Sequence, residues 1–122
     1  MAAGTYNMLS TRAIEQGATF VRTFTYYSAT STGPVVDLTG YSARLQVRRF
    51  HNSADTLLSL TSTSTRLSIS STAGLITVRL PSTATAALEW RQGVYDLEVH
   101  SSGGVVTRLL EGRIEVRPEV TR

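Results

Sequence analysis

The sequence predicts an all-β domain: stacked antiparallel sheets joined through one short helical crossover. Three observations carry this. Apolar and polar residues alternate with period two through four separate segments, so each strand offers one dry face and one wet face. Turn-forming clusters punctuate the segments at intervals of roughly 8–12 residues. Serine and threonine are abundant, whereas the alanine-, glutamate- and lysine-rich stretches of helical proteins are missing.

The elements follow in chain order. Residues 6–9 form an edge strand or an extended arm, and residues 1–12 together are the candidate arm. Residues 19–27 are β-branched and aromatic and are expected to form a strand after Gly17. Gly33 and Pro34 mark a turn. In residues 37–40, Asp37 can accept backbone N–H groups and Gly40 can take positive φ. Residues 42–48 place Ala43, Leu45 and Val47 on one face and Arg44, Gln46 and Arg48 on the other. Shorter strands are expected at 56–61 and 66–70. Residues 75–80 turn Ile76, Val78 and Leu80 inward, and residues 94–100 turn Tyr95, Leu97 and Val99 inward. A serine–glycine hairpin loop at 101–104 leads through Thr107 to residues 110–117, where Leu110, Ile114 and Val116 face the core. One short helix is expected at 81–88, with Ser82 as its cap. Phe20, Phe24, Tyr26, Tyr41 and Tyr95 fall at strand spacing and read as core or near-core. Seven or eight short strands at this spacing make an immunoglobulin-like antiparallel β-sandwich, although the cysteine–tryptophan–cysteine core of antibody domains is absent.

A chain of 122 residues fits one domain, spanning 1–122, and its 41% apolar content is enough to build a core. The absence of cysteine removes disulfides, zinc–thiolate sites and thiol chemistry. The apolar runs are too short to cross a bilayer as helices. The first residues lack a basic stretch followed by an apolar one, so no signal peptide is expected and the chain should stay in a cytoplasm unless an assembly carries it out. All 12 basic residues are arginine, as GC-rich coding produces; arginine also suits packed polar interfaces. They are spread among nine carboxylates rather than gathered in a stripe, which argues against a nucleic-acid partner.

Chemistry is sparsely signalled. Asp96 and Glu98 share a strand face at a separation near that of an inverting glycosidase pair, roughly 6.5–9.5 Å. Cross-strand pairing with Arg108 and Arg113 is the stronger reading. His51 and His100 have no partner at metal-ligand spacing. No catalytic residue, metal, cofactor or small-molecule substrate is expected. Trp90 is either a binding hot spot, with Arg91 beside it, or a lid on one end of the core. The ends of the chain are the other contact candidates: Tyr6, Met8 and Leu9 in the arm, and Val120 in an extended tail at 117–122. Such arms add to a neighbour's sheet edge in many assemblies.

Several segments resemble a known group. Residues 5–8 followed by 14–20 resemble the start of small structural proteins of tailed bacteriophages. Residues 36–48 are similar to their D-L-T-G-Y-x-A-x-x-Q-V-R segment, which also looks like the N-terminal domain of phage baseplate upper proteins. Residues 93–98 and 108–113 resemble the closing strands of the same group. The resemblance implies an immunoglobulin-like sandwich without catalytic residues, present in several copies in a virion tail, baseplate or fibre connector. It implies that the partners are other virion proteins. A capsid decoration protein is the alternative within that class, and a carbohydrate-binding module served by Trp90 is the alternative outside it.

Overall fold

The computed structural model describes residues 4–27 and 34–121. The expected alternation becomes geometry most plainly in β4 (Ser42–Arg48) and β8 (Gln92–His100), where buried and solvent-facing residues alternate along the whole strand. These strands pair antiparallel, Leu45 opposite Leu97, so two aliphatic rows lie side by side on the inner face. β5 (Leu58–Thr61) extends the sheet on one side of β4, and β9 (Val106–Arg117) extends it on the other side of β8. The second sheet has the order β3 (Phe20–Thr25), β7 (Leu75–Leu80), β6 (Leu67–Ser70). The sheets close on one hydrophobic core, with Leu45, Val47, Leu97 and Val99 from the large sheet and Phe20, Ile76, Val78, Leu80 and Leu67 from the small one. The architecture is the immunoglobulin-like β-sandwich read from the sequence.

Helix α1 (Ser82–Ala86) crosses from β7 in the small sheet to β8 in the large one. It is shorter than the expected 81–88. Ser82 is its first helical residue rather than its cap; Pro81 holds the cap position without a side-chain hydrogen bond. Its Thr85 is fully buried, accepting the Gly17 N–H at 3.0 Å and donating to the Ala18 carbonyl at 2.9 Å. That hydroxyl ties the helix to the strand start at Phe20. The turn at 37–40 forms as expected: Asp37 Oδ1 accepts from Thr39 N–H at 2.9 Å, and Gly40 takes φ +81°. The Gly33–Pro34 turn lies in part outside the described residues.

Of the two readings of residues 6–9, an edge strand or an extended arm, the structure takes the first, and its pairing is parallel. Residues 4–16 do not extend from the domain but lie along its last strand. β1 (Gly4–Thr5) and β2 (Ile14–Glu15) both pair parallel with β9, so the large sheet is not wholly antiparallel. Tyr6 N–H donates to Glu111 O at 3.0 Å, Met8 N–H to Arg113 O at 2.8 Å, and Glu115 N–H returns to Met8 O at 3.1 Å. Between β1 and β2, the turn Ser10–Arg12 starts with Ser10 at φ +56°, held by its N–H on the Glu115 carboxylate at 2.6 Å. Gly112 permits the close approach. A Cβ there would run into the Tyr6 carbonyl and would stand 2.9 Å from Asn7 Oδ1. Met8 is consequently 1% exposed and belongs to the core.

A second difference lies in β9, whose start is earlier than expected. Leu97 faces Leu110 whereas Glu98 faces Arg108, so Leu109 is an extra residue, a β-bulge. The bulge lets Leu109 and Leu110 both pack partly on the core. Among the described residues no helix is long and apolar enough to cross a membrane.

Met8→Ala should lower unfolding free energy by about 2–5 kcal/mol, the range for truncating a fully buried side chain. Gly112→Ala should cost about 1–3 kcal/mol through the forced backbone shift. Urea unfolding of both variants checks this; a Met8→Ala midpoint equal to wild type would mean that residues 4–16 are a loose arm after all.

Candidate interaction surface

The outer face of the large sheet carries most of the chain's organised charge, because alternation that sends aliphatic residues inward must send their neighbours out. Down β4 the outward residues are Arg44, Gln46 and Arg48; down β8 they are Glu98, Asp96 and Val94; down β9 they are Arg108, Glu111 and Arg113. An acidic central column is thus flanked by arginines. Arg44 lies 3.7 Å from Glu98, Arg108 lies 3.5 Å from Asp96 and 3.2 Å from Glu111, and His100 Nε2 lies 3.5 Å from Glu98. Of the two pairings expected from the sequence, Arg108 with Asp96 is present, while Arg113 has no ion-pair partner among the described residues. The columns enclose an open groove of about 290 Å³.

The carboxylates in this groove sit among neighbouring charges. Asp96 is pushed above the usual carboxylate range, first by burial and then by the charges of Glu98 and Glu111, with Arg108 opposing. Arg44 and His100 lie beside Glu98, and Arg108 lies beside Asp96. Tyr95, on the opposite face of β8, is pushed up by burial and by Tyr6; its hydroxyl donates to the Tyr6 carbonyl. No three His, Asp or Glu side chains cluster as metal ligands among the described residues.

At the β4–β5 end of the groove the turn at residues 49–54 presents Phe50, 64% exposed. Arg48 stiffens this turn by donating to the Ser53 and Ala54 carbonyls, both at 2.9 Å, and Phe50 N–H donates to Ser53 Oγ at 3.0 Å. A second open groove of about 300 Å³ runs from Phe50 past Leu9 to Arg113 and Glu115. Val94 lines both grooves, so they form one continuous surface. An exposed aromatic on a fixed turn beside charged, half-paired side chains is the make-up of an interface hot spot with a polar rim.

The contact residues expected from sequence scatter. Tyr6 is half-buried, its ring edge-on to Phe24 at 5.3 Å, and Met8 is in the core. Leu9 alone of the six lines the grooves just described. Trp90 is 8% exposed and packs in the core, which makes it the lid and leaves no indole face for a sugar. Arg91 is exposed, and its carbonyl accepts the Val116 N–H at 2.8 Å. Val120 is 92% exposed in the tail, where Glu119 N–H is held by Gln16 Oε1 at 3.1 Å. The residue the sequence reading missed is Phe50. Its signal was present: a lone aromatic between Arg49 and His51 in a turn joining two strands.

Two sheets of orders β1-β9-β8-β4-β5 and β3-β7-β6, joined through the α1 crossover, define the class: an immunoglobulin-like β-sandwich. No protein-family model matches the chain, and no curated protein matches it. Among solved structures the chain is similar to a crystal structure of a chicken TCR, with TM-score 0.53 and 16% identity. The likeness covers 98% of this chain and 55% of that one. At this identity it speaks for the fold alone.

Asp96 binds its proton more tightly folded than unfolded. Its contribution to stability is therefore greatest at low pH and declines as pH rises from about 4, the unfolded value, through the higher folded value. Asp96→Asn should raise the melting temperature at pH 7 and make no difference near pH 3. Thermal unfolding at the two pH values checks the sign.

Proposed function

We propose that this chain is a non-catalytic structural module of a tailed-phage virion, working in the tail, baseplate or a fibre connector through protein–protein contacts. The observation that carries the reading is the resemblance of residues 36–48 to a segment of such proteins. That segment is the Asp37 turn followed by the whole of β4, which supplies Arg44, Gln46 and Arg48 to the charged face. Support also comes from the surface itself. The face of β4, β8 and β9 is open, charged and continuous with an exposed Phe50, and its carboxylates are engaged by arginine and histidine. This suits docking better than turnover.

An antibody against the chain, applied to purified particles in negative-stain microscopy, should label the tail tip. Labelling of no virion part ends the reading. A mass-spectrometric copy count refines it, since a low count fits a tail position and a high count fits a layer on the head.

If the charged face docks a partner, Phe50→Ala should weaken incorporation by about 1–2 kcal/mol, a typical loss for an interface aromatic. Its melting temperature should stay at the wild-type value, because the ring is exposed. Competition between tagged wild-type and variant chains for assembly into particles provides the measurement.

A further inference from the structure

We infer that the outer edge of β3 pairs with β3 of a second copy of this chain, joining two three-stranded sheets into one continuous sheet. The backbone groups of β3 point alternately toward β7 and away from it. β3 runs antiparallel to β7 with Phe20 opposite Leu80, Arg22 opposite Val78 and Phe24 opposite Ile76. Tyr26 N–H donates to Gly74 O at 2.8 Å, so the even-numbered residues direct their hydrogen-bonding groups to β7. On β7 itself Arg79 N–H donates to Arg66 O at 2.8 Å, which places its odd-numbered groups on β6 and confirms the phase. Val21, Thr23 and Thr25 therefore direct their N–H and C=O groups away from the sheet. The N-terminal segment pairs its strands with β9 and meets β3 through the Arg12 carbonyl and the Tyr6 ring.

Natural edges are blunted by prolines, bulges or outward charges. β3 has neither proline nor bulge over its six residues, and Arg22 is the one charge it carries. Arg22 starts from the Phe20 face, and its guanidinium reaches round to the edge. There it lies 4.4 Å from the centre of the Phe20 ring and donates to the Val21 carbonyl at 2.8 Å and the Arg12 carbonyl at 2.9 Å. The Val21 carbonyl keeps a second lone pair for a strand partner. Val21 and Thr23 are exposed.

The order of side chains selects the occupant. Residues 20–26 read Phe, Val, Arg, Thr, Phe, Thr, Tyr. Folded back on a second copy about Thr23, the odd residues fall in hydrogen-bonded pairs: Thr23 with Thr23, and Val21 with Thr25 twice. The even residues give Arg22 opposite Phe24 and Phe20 opposite Tyr26. These are β-branched, cation–aromatic and aromatic pairs, each favourable across strands, and no like charges face each other. The two-fold axis passes through the Thr23 pair perpendicular to the sheet, so every pair except Thr23 with Thr23 occurs twice.

The test uses Thr23, whose side chain is exposed and lies on the axis. Wild type should sediment as a dimer at concentrations on the order of 0.1 mM. Thr23→Asp and Thr23→Arg each place like charges face to face and should raise the dissociation constant at least ~10-fold. An equimolar mixture of the two should recover a heterodimer. In this cysteine-free chain, Thr23→Cys should cross-link to a disulfide dimer under mild oxidation, since the Cα spacing of about 5.5 Å in a hydrogen-bonded pair suits that bond, while Thr65→Cys at another exposed position should not. A monomeric wild type, charge variants that still dimerise, or equal cross-linking at both positions overturns the inference.

Discussion

Residues 4–16 satisfy their backbone on β9, and most of what is particular to this sandwich follows from that choice. Laid parallel to the last strand, the segment brings Met8 and Ile14 into the core and sets the Tyr6 carbonyl where the Tyr95 hydroxyl can reach it. It needs Gly112, because any side chain at that point would occupy the space of the Tyr6 backbone. It also fixes Ser10 in a left-handed conformation, which a residue with a Cβ adopts at some cost and which the Glu115 carboxylate offsets. The same choice leaves the outer edge of β3 without a strand partner among the described residues. One set of parallel hydrogen bonds thus closes one side of the molecule and leaves another edge unpaired.

The core was legible because burial on a sheet imposes period two, and period two can be read without knowing the partner strand. Ala43, Leu45, Val47, Ile76, Val78, Leu80, Tyr95, Leu97 and Val99 are buried in the structure as the alternation requires. The parallel pairing was not legible. Its strands are two residues long, too short to show a period, and their partners lie roughly a hundred residues away in sequence. Tyr6, Met8 and Leu9 looked like an arm seeking a neighbour because nothing local revealed that the neighbour was the chain's own last strand. Trp90 posed the same difficulty at smaller scale. A tryptophan between a short helix and a strand can lie in or out, and only the closure of both sheets puts it at 8% exposure.

The charged face shows how a wet sheet surface acquires character beyond solubility. Pairing rules bring Glu98 between Arg44 and Arg108, and Asp96 between Gln46 and Glu111. Glu98 has Arg44 at 3.7 Å and His100 Nε2 at 3.5 Å, whereas Arg108 reaches Asp96 instead. Asp96 is compensated on one side, by that exposed arginine, and is crowded by two acidic neighbours. Exposed ion pairs of this kind add little to stability, typically below about 1 kcal/mol each. Their positions matter more for what can approach, since mixed columns reject a partner of uniform charge and accept one whose columns are complementary. Phe50 then supplies the apolar anchor that the columns lack.

Edge and face lie on different sheets, and this bears on assembly. A two-fold axis perpendicular to the small sheet keeps both cores on one side of the joined sheet. The large sheets of the two copies then lie side by side, with their outer faces turned the same way. Pairing through β3 therefore covers none of the surface built by β4, β8, β9 and Phe50 but duplicates it in one plane. A partner that repeats its own docking patch at a matching spacing would engage both faces, and the second contact would form at the high effective concentration set by the first. The weakness of each exposed, partly solvated face then ceases to be an obstacle to stable attachment. In the dimer inferred above, the β3 edge sets the distance between the two faces.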